Sequence, residues 1–226
     1  GSGVAGVFTL TLTGDADLSG VTLTGIDALC IDPDAAATLT MTADQLVALG
    51  AVLEAKSGPV VLNVVDMGDQ PLDLSALVSD DLTIGTVTFV DEAVTVDATT
   101  DFGNATSLII PEDSEVTMTY AQFQTADGGN DNEPDVTDGD AMANADDNKL
   151  ILTDIPNGEA LGATPVENVD LDDVGVDVDV DLIFTDFTAN AQFDVSAGGG
   201  ETTTAVISGT TDLSAALSLG TVDCIV

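Results

Sequence analysis

Short runs in which apolar residues alternate with threonine recur along the chain, and they limit its folds more than any other feature. Val7 to Thr13 reads Val-Phe-Thr-Leu-Thr-Leu-Thr. The same period of two returns in Val21 to Thr24, Thr38 to Thr42, Thr83 to Phe89 and Val94 to Val96. Side chains two apart share one face of a strand, and Thr and Val suit a pleated surface with one side buried. Further strands are expected at Lys149 to Thr153, Val174 to Phe184, Ala191 to Val195 and Thr203 to Ile207. Clusters of Gly, Asp, Asn and Pro separate them. The expected class is mainly β, a β-solenoid-like or β-sandwich architecture.

Two short helices interrupt the pattern. Thr42-Ala43-Asp44-Gln45 and Thr119-Tyr120-Ala121-Gln122 both fit a Thr-x-x-Gln capping box. In that box the Thr and Gln side chains satisfy free backbone N–H groups at a helix start. The likeness extends upstream. Leu39 to Leu46 parallels Val116 to Phe123, and Leu29 to Pro33 parallels Leu108 to Glu112, at a nearly constant offset. Asp-Leu-Ser recurs at Asp17, Asp73 and Asp212. This reads as a degenerate internal duplication of strand, acidic turn, strand and capped helix. Three regions follow: a Thr-rich repeat region at 1–125, an acidic loop at 126–148 and a C-terminal β region at 149–226.

Charge sets the second constraint. The 226 residues hold 41 Asp and Glu against two lysines, Lys56 and Lys149, a formal net charge of −39 with no histidine. Two unit charges 10 Å apart in water repel by roughly 0.4 kcal/mol. Summed over so many pairs, the unscreened repulsion is on the order of a domain's whole stability of about 5–15 kcal/mol. Bound divalent cations or molar salt must offset it. Hydrophobic residues make up 44% of the chain, too many for a disordered acidic tail.

The same arithmetic excludes partners. Nucleic acid needs Lys and Arg to displace its counterions, and an anionic membrane surface would repel the chain. Triads and zinc sites built on histidine are out. Acids are so abundant that the spacing of any carboxylate pair carries no catalytic information. With one Tyr and no Trp, the chain also lacks stacking platforms for a sugar. It reads as a protein that is not an enzyme.

Of the 41 acids, 33 are Asp and 8 are Glu. Asp is the short oxygen ligand of turns where calcium sites are built, so the bias leans toward calcium. The densest candidate is Asp127 to Asp140, with Asp127, Asn130, Asp131, Asp135, Asp138 and Asp140 as ligands. Calcium takes six to eight oxygens at about 2.3–2.6 Å, but the spacing here does not match the twelve-residue helix–loop–helix pattern. The second candidate is Val176 to Asp181, where Asp177, Asp179 and Asp181 project from one strand face and the valines from the other. Three carboxylates in a row repel, so a cation or a set of donors should sit over them. Cys30 and Cys224 are an even pair at the two ends, the pattern of a disulfide within or between subunits. Calcium and a disulfide both point to the cell exterior.

Leu10 to Leu23 (Leu-Thr-Leu-Thr-Gly-Asp-Ala-Asp-Leu-Ser-Gly-Val-Thr-Leu) and Ala37 to Leu46 (Ala-Thr-Leu-Thr-Met-Thr-Ala-Asp-Gln-Leu) resemble the Thr/Asp-rich repeats of secreted bacterial surface proteins. These include calcium-dependent surface-layer proteins, large adhesins and haemolysin-type relatives. The resemblance covers the Thr-rich repeat region. The Gly-Gly-x-Gly-x-Asp nonapeptide is missing; Asp127-Gly128-Gly129-Asn130-Asp131 only echoes it. The likeness implies a β-solenoid or β-sandwich that assembles outside the cell. The expected function is a secreted, calcium-stabilised structural subunit that polymerises with copies of itself into a filament, matrix fibre or surface layer. Edge strands near Val4 to Thr13 and Thr221 to Val226 are the expected joints. The alternatives are a monomeric calcium-dependent adhesin or ice-binding module, and a halophile surface protein without specific calcium sites.

Overall fold

The computed structural model describes residues 9–26, 28–49, 53–56, 58–111, 114–126, 135–138, 148–155, 167–171, 178–184, 193–197, 202–207 and 224–225. The chain is mainly β and winds as a β-solenoid of about six turns, carrying two helices. One sheet holds β2 (Ala16–Asp17), β4 (Ala37–Thr42), β6 (Val60–Met67), β7 (Leu82–Phe89), β9 (Ser107–Ile110) and β11 (Asp135–Asp138). A second holds β8 (Val94–Thr95), β10 (Glu115–Thr119), β12 (Asn148–Ile155), β14 (Val178–Phe184), β16 (Thr203–Ile207) and β17 (Cys224–Ile225). Two smaller sheets complete the winding: β1 (Thr9–Leu12), β3 (Ala28–Ile31) and β5 (Leu53–Ala55), then β13 (Glu167–Leu171) with β15 (Phe193–Ala197). Every named strand pair is parallel.

The unit that repeats is the turn, much shorter than the expected duplication. Ala37 faces Val60, Val60 faces Leu82, Val94 faces Val116 and Val180 faces Thr203, each partner one turn further along the chain. Longer turns occur where Glu115 faces Lys149 and Asn148 faces Val178. Val21 to Thr24, expected as a strand, is irregular, and the amide of Val21 donates to the Leu18 carbonyl. β6 shows no clear alternation in sequence, yet its residues up to the bulge at Asp66 alternate between buried and outward positions.

One rule orders the backbone of the paired strands, with the corner residue Asn104, exposed yet bonded to the Thr125 carbonyl of the next turn, outside it. Amides at buried positions donate to the next turn: Leu18 to Thr40, Val60 to Asp81, Val180 to Thr202. Amides at outward positions donate to the preceding turn: Asp32 to Leu12, Thr106 to Gly85, Lys149 to Ser114. Residues aligned across a parallel sheet all aim their backbone groups in one direction, so the stack has a polarity.

The interior is one apolar cluster running from Leu18 to Ala205. Leu39, Leu62, Ile84, Leu108 and Val136 line it on one side, and Val116, Leu150, Val180 and Leu182 on the other. Phe89 and Phe102 meet edge to face with centroids 6.2 Å apart, a favoured aromatic geometry. Burial of these stripes drives the winding, since a single turn has no second face to cover its apolar side.

Both expected helices form. Ala43–Leu49 is α1 and Tyr120–Phe123 is α2. Each capping box closes: Thr42 and Thr119 accept from the amides of Gln45 and Gln122, whose side-chain oxygens accept from the amides of Thr42 and Thr119. The glutamine amides then tie each helix to the turn before it. Gln45 Nε2 donates to the carbonyls of Leu18 and Val21, and Gln122 Nε2 to that of Asp97. The boxes follow strands of different sheets, β4 and β10, so they do not stand a whole number of turns apart.

Candidate functional site

Three aspartates turn the chain at corners of the solenoid by one simple device. Asp17 Oδ1 accepts from both the amide and the hydroxyl of Ser19, at 3.0 and 2.6 Å. Asp97 Oδ1 accepts from the amide and hydroxyl of Thr99, at 2.9 and 2.5 Å. Asp73 Oδ1 accepts from the Ser75 hydroxyl and the Ala76 amide. These are Asx turns, in which the carboxylate replaces a backbone acceptor and turns the chain. The bonds favour the charged form, so the Asp17 and Asp97 carboxyls lie below their ordinary value, through the Ser19 and Thr99 hydroxyls first and the amides second.

Two other aspartates bend strands. Asp66 and Asp154 hold the left-handed backbone, with φ of 53° and 54°. At each, the register shifts because one strand takes an extra residue: Val64 to Met67 lies against Val87 to Phe89, and Leu152 to Ile155 against Leu182 to Phe184. Such a bulge re-aims the strand at the corner, and Asp tolerates this backbone better than most residues.

The face of β14 carries the charge chemistry. Val178, Val180 and Leu182 are buried, and Asp179 and Asp181 lie half-buried on the other side, as the alternation requires. The counter-charge is Lys149 of β12. Glu115, Lys149 and Asp179 stand in register on β10, β12 and β14, so the ammonium has an acid on each neighbouring strand. Its Nζ reaches Asp181 Oδ2 at 2.5 Å. The hydrogen bond to Asp181 raises the Lys149 pKa, burial opposes it, and the charges of Asp181, Glu115 and Asp179 add to the rise. Lys149 therefore stays a cation, beside Asp179 and Asp181 of the acidic row. Asp179 Oδ1 is buried and accepts no hydrogen bond.

A second acidic feature is a cleft of about 560 Å³ at the corner after β6, lined by Asp44, Asp66, Asp69, Gln70 and Glu92. An apolar hollow of about 260 Å³ lies between α1 and the 3-10 turn Ser75–Leu77, lined by Leu46, Val47, Pro71, Leu72 and Leu77.

Of the expected calcium ligands, Asp127, Asn130, Asp131, Asp140 and Asp177 lie outside the described residues. Asp135 and Asp138 are placed by backbone alone, on β11 beside β9. Among the described residues no three carboxylates or thiols converge to hold a metal ion. Cys30 is a buried free thiol on β3, so the expected bridge to Cys224 does not form within the chain. Cys224 is on β17, at the edge of a different sheet. A disulfide needs Cα atoms within about 7 Å, a span that only neighbouring strands offer here.

The sequence pointed to the acidic row of β14 but not to its partner. Lys149 and Glu115 become neighbours of Asp179 only through strand pairings that join distant parts of the chain, and no local motif announces those. Comparison with protein-family models, curated proteins and solved structures gives no match for this chain.

Proposed function

We propose that this chain is a structural module of the cell exterior, stabilised by calcium, that assembles with copies of itself. The observation that carries this reading is the parallel register running the length of the stack, with one backbone polarity. A stack of one backbone polarity supports association of unlike faces over like ones, and association of unlike faces propagates into fibres or layers. The net charge of −39 supports the cation requirement, because copies brought together repel unless cations lie between them. Lys149 serves the acidic row of β14 and leaves the stretch from Asp127 to Asp140 as the place for calcium. The buried free Cys30 removes one argument for an exterior location, which now rests on calcium and on the resemblance to secreted surface repeats.

The register favours this reading over an ice-binding face. A flat Thr array needs Thr beside Thr across the strands. Here Thr38 faces Val61, Thr40 faces Asn63 and Thr42 faces Val65; Thr95 faces Thr117 and Thr119 faces Thr153, but among the described residues neither pair extends to a third strand. The function proposed is accordingly not ice binding.

Electron microscopy and light scattering of the protein in calcium and in chelator, at moderate salt, test it. Filaments or sheets in calcium, with dispersal and a lower Tm in chelator, are the expected result. Unchanged particle size and melting in chelator would overturn it. Full recovery in molar potassium chloride without calcium would replace it with the salt-adapted alternative.

A further inference from the structure

We infer that the outer face of the sheet formed by β4, β6, β7 and β9 is a lateral contact, on which the same face of a second copy packs side by side. This rests on the self-assembly reading above and names a surface that serves it.

The face is uncharged in a chain of net charge −39. Every outward position of β4, β6 up to Val65, β7 and β9 is neutral, and each is exposed or half-buried. Thr38, Val61 and Thr83 form one row across it, and Thr88 faces Ile109 further along. The outer sides of the other sheets with described side chains carry acids. Glu115, Asp179 and Asp181 lie on the second six-stranded sheet, and Glu54 on that of β1, β3 and β5. Around the neutral area the acids stand at its margin. Asp17 is in register with Thr40 at one edge and Asp135 with Ser107 at the other, and Asp66 and Asp81 lie near strand ends. A centre depleted of charge within a polar rim is the anatomy of a protein interface.

Charge also selects the occupant. Burying an unpaired carboxylate is costly, and a second copy brings two lysines against 41 acids. The patch it brings must be neutral, and among the described sheets this face is the one that qualifies. No aromatic ring lies on it, so a neutral sugar would find nothing to stack on. Two such faces meet through side chains, about 10 Å apart, as stacked sheets do. Thr hydroxyls and the Asn63 carboxamide both donate and accept, so like can pair with like. The contact uses no backbone groups, and the polarity of the stack does not restrict it. Four strands of about six residues span roughly 19 by 20 Å, about 400 Å² a side against about 800 Å² per partner in a standard interface. That area does not hold two free copies together. It adds up between strings of copies already joined, so it widens an assembly and does not start one.

The test puts a charge on the face. Val61 points outward and is 39% exposed, so Val61→Glu should keep the circular dichroism and Tm of the dispersed wild type. In calcium, electron microscopy should show single strings of Val61→Glu where the wild type gives paired strings or sheets. Thr117→Glu adds the same charge to the outer side of β10 and should keep the wild-type width. Methyl NMR of the wild type with a soluble neutral nitroxide gives a second reading that holds even if the variant misfolds. Broadening of the Val61, Val65 and Ile109 methyls should fall severalfold on assembly, and that of Ile151 and Val206, outward on the second sheet, should fall less. Wild-type width in Val61→Glu, equal narrowing in Thr117→Glu, or face methyls equally broadened in both states would overturn this contact while leaving self-assembly standing. A wild type that stays dispersed in calcium would overturn both.

Discussion

Lys149 Nζ lies 2.5 Å from a carboxylate oxygen of Asp181, on the neighbouring strand but two positions beyond its register partner Asp179. The ammonium thereby serves three acids on β10 and β14. Both side chains are partly exposed, 35% for Lys149 and 24% for Asp181, so solvent screens the pair. Lys149→Gln should cost about 0.5–1 kcal/mol, the range of such surface pairs. The loss should shrink as salt is added, because the acids left behind repel less when screened. Urea melts at low and high ionic strength measure this. An equal loss at both would mean that the lysine stem, rather than its charge, is what matters.

Gln122 and Gln45 close the same capping box in different surroundings. Gln122 is buried and its amide donates to the Asp97 carbonyl at 2.6 Å; Gln45 is half-buried. Gln122→Ala removes the box, worth about 1 kcal/mol, and leaves a carbonyl and an amide short of partners at about 1–3 kcal/mol more. Gln45→Ala loses the same box where water replaces part of the bonding, so its cost should stay near about 1 kcal/mol. Denaturant midpoints of the two variants compare them directly, and equal losses would contradict the role of burial.

How much of this was legible in the sequence follows from what each feature depends on. Strand positions such as Thr38 to Thr42 and Thr83 to Phe89 were readable because alternation is local. So were the capping boxes, which need four residues. The choice between solenoid and sandwich was not, because it depends on whether Val60 meets Ala37 in parallel, and nothing near either residue states that. The turn length was hidden too. Inward positions require only apolar residues of fitting size, so Leu39, Leu62 and Ile84 stack without a repeated motif. Asp-Leu-Ser was visible as a recurrence, but its meaning as a corner came only with the bonds of Asp17 and Asp73. Asp17, Asp73 and Asp97 thus build corners, and Asp66 and Asp154 bend strands, without any metal.

Gly103 is the least replaceable glycine in the described fold. Its φ is +61°, and a Cβ there would lie 2.7 Å from the Leu74 carbonyl carbon and 2.9 Å from the Ser75 amide nitrogen. Both are backbone atoms of the preceding turn and cannot swing away. Gly103→Ala should cost at least about 2 kcal/mol, from the left-handed backbone together with overpacking. Gly85 offers a contrast. A Cβ there would overlap the Asn63 carboxamide oxygen and approach Val61 Cγ1 at 2.6 Å, both side-chain atoms. Gly85→Ala should therefore cost less, about 1 kcal/mol, at the lower end of overpacking. Thermal melts rank the two, and the reverse order would show that the outer face of β6 is more rigid than the corner at Leu74.

Asp97 gives the pH prediction. Its bonds to the Thr99 hydroxyl and amide hold its carboxyl below the ordinary value of 3.8. A carboxyl depressed in the folded state binds its proton less readily than in the unfolded chain. Its contribution is complete above 3.8 and is lost as pH falls through the lower folded value. Asp97→Asn keeps an oxygen that accepts the same bonds but carries no charge to strengthen them, so the variant should be less stable than the wild type at neutral pH. Its deficit should narrow below pH 3.8 and vanish once the folded wild-type carboxyl is protonated. Asp17→Asn should follow the same course, since Ser19 plays the part of Thr99. Denaturant midpoints of wild type and variants, followed from neutral pH down to about pH 2, trace the difference. A deficit that stays constant across that range would show that the charge of the carboxylate adds nothing to the corner.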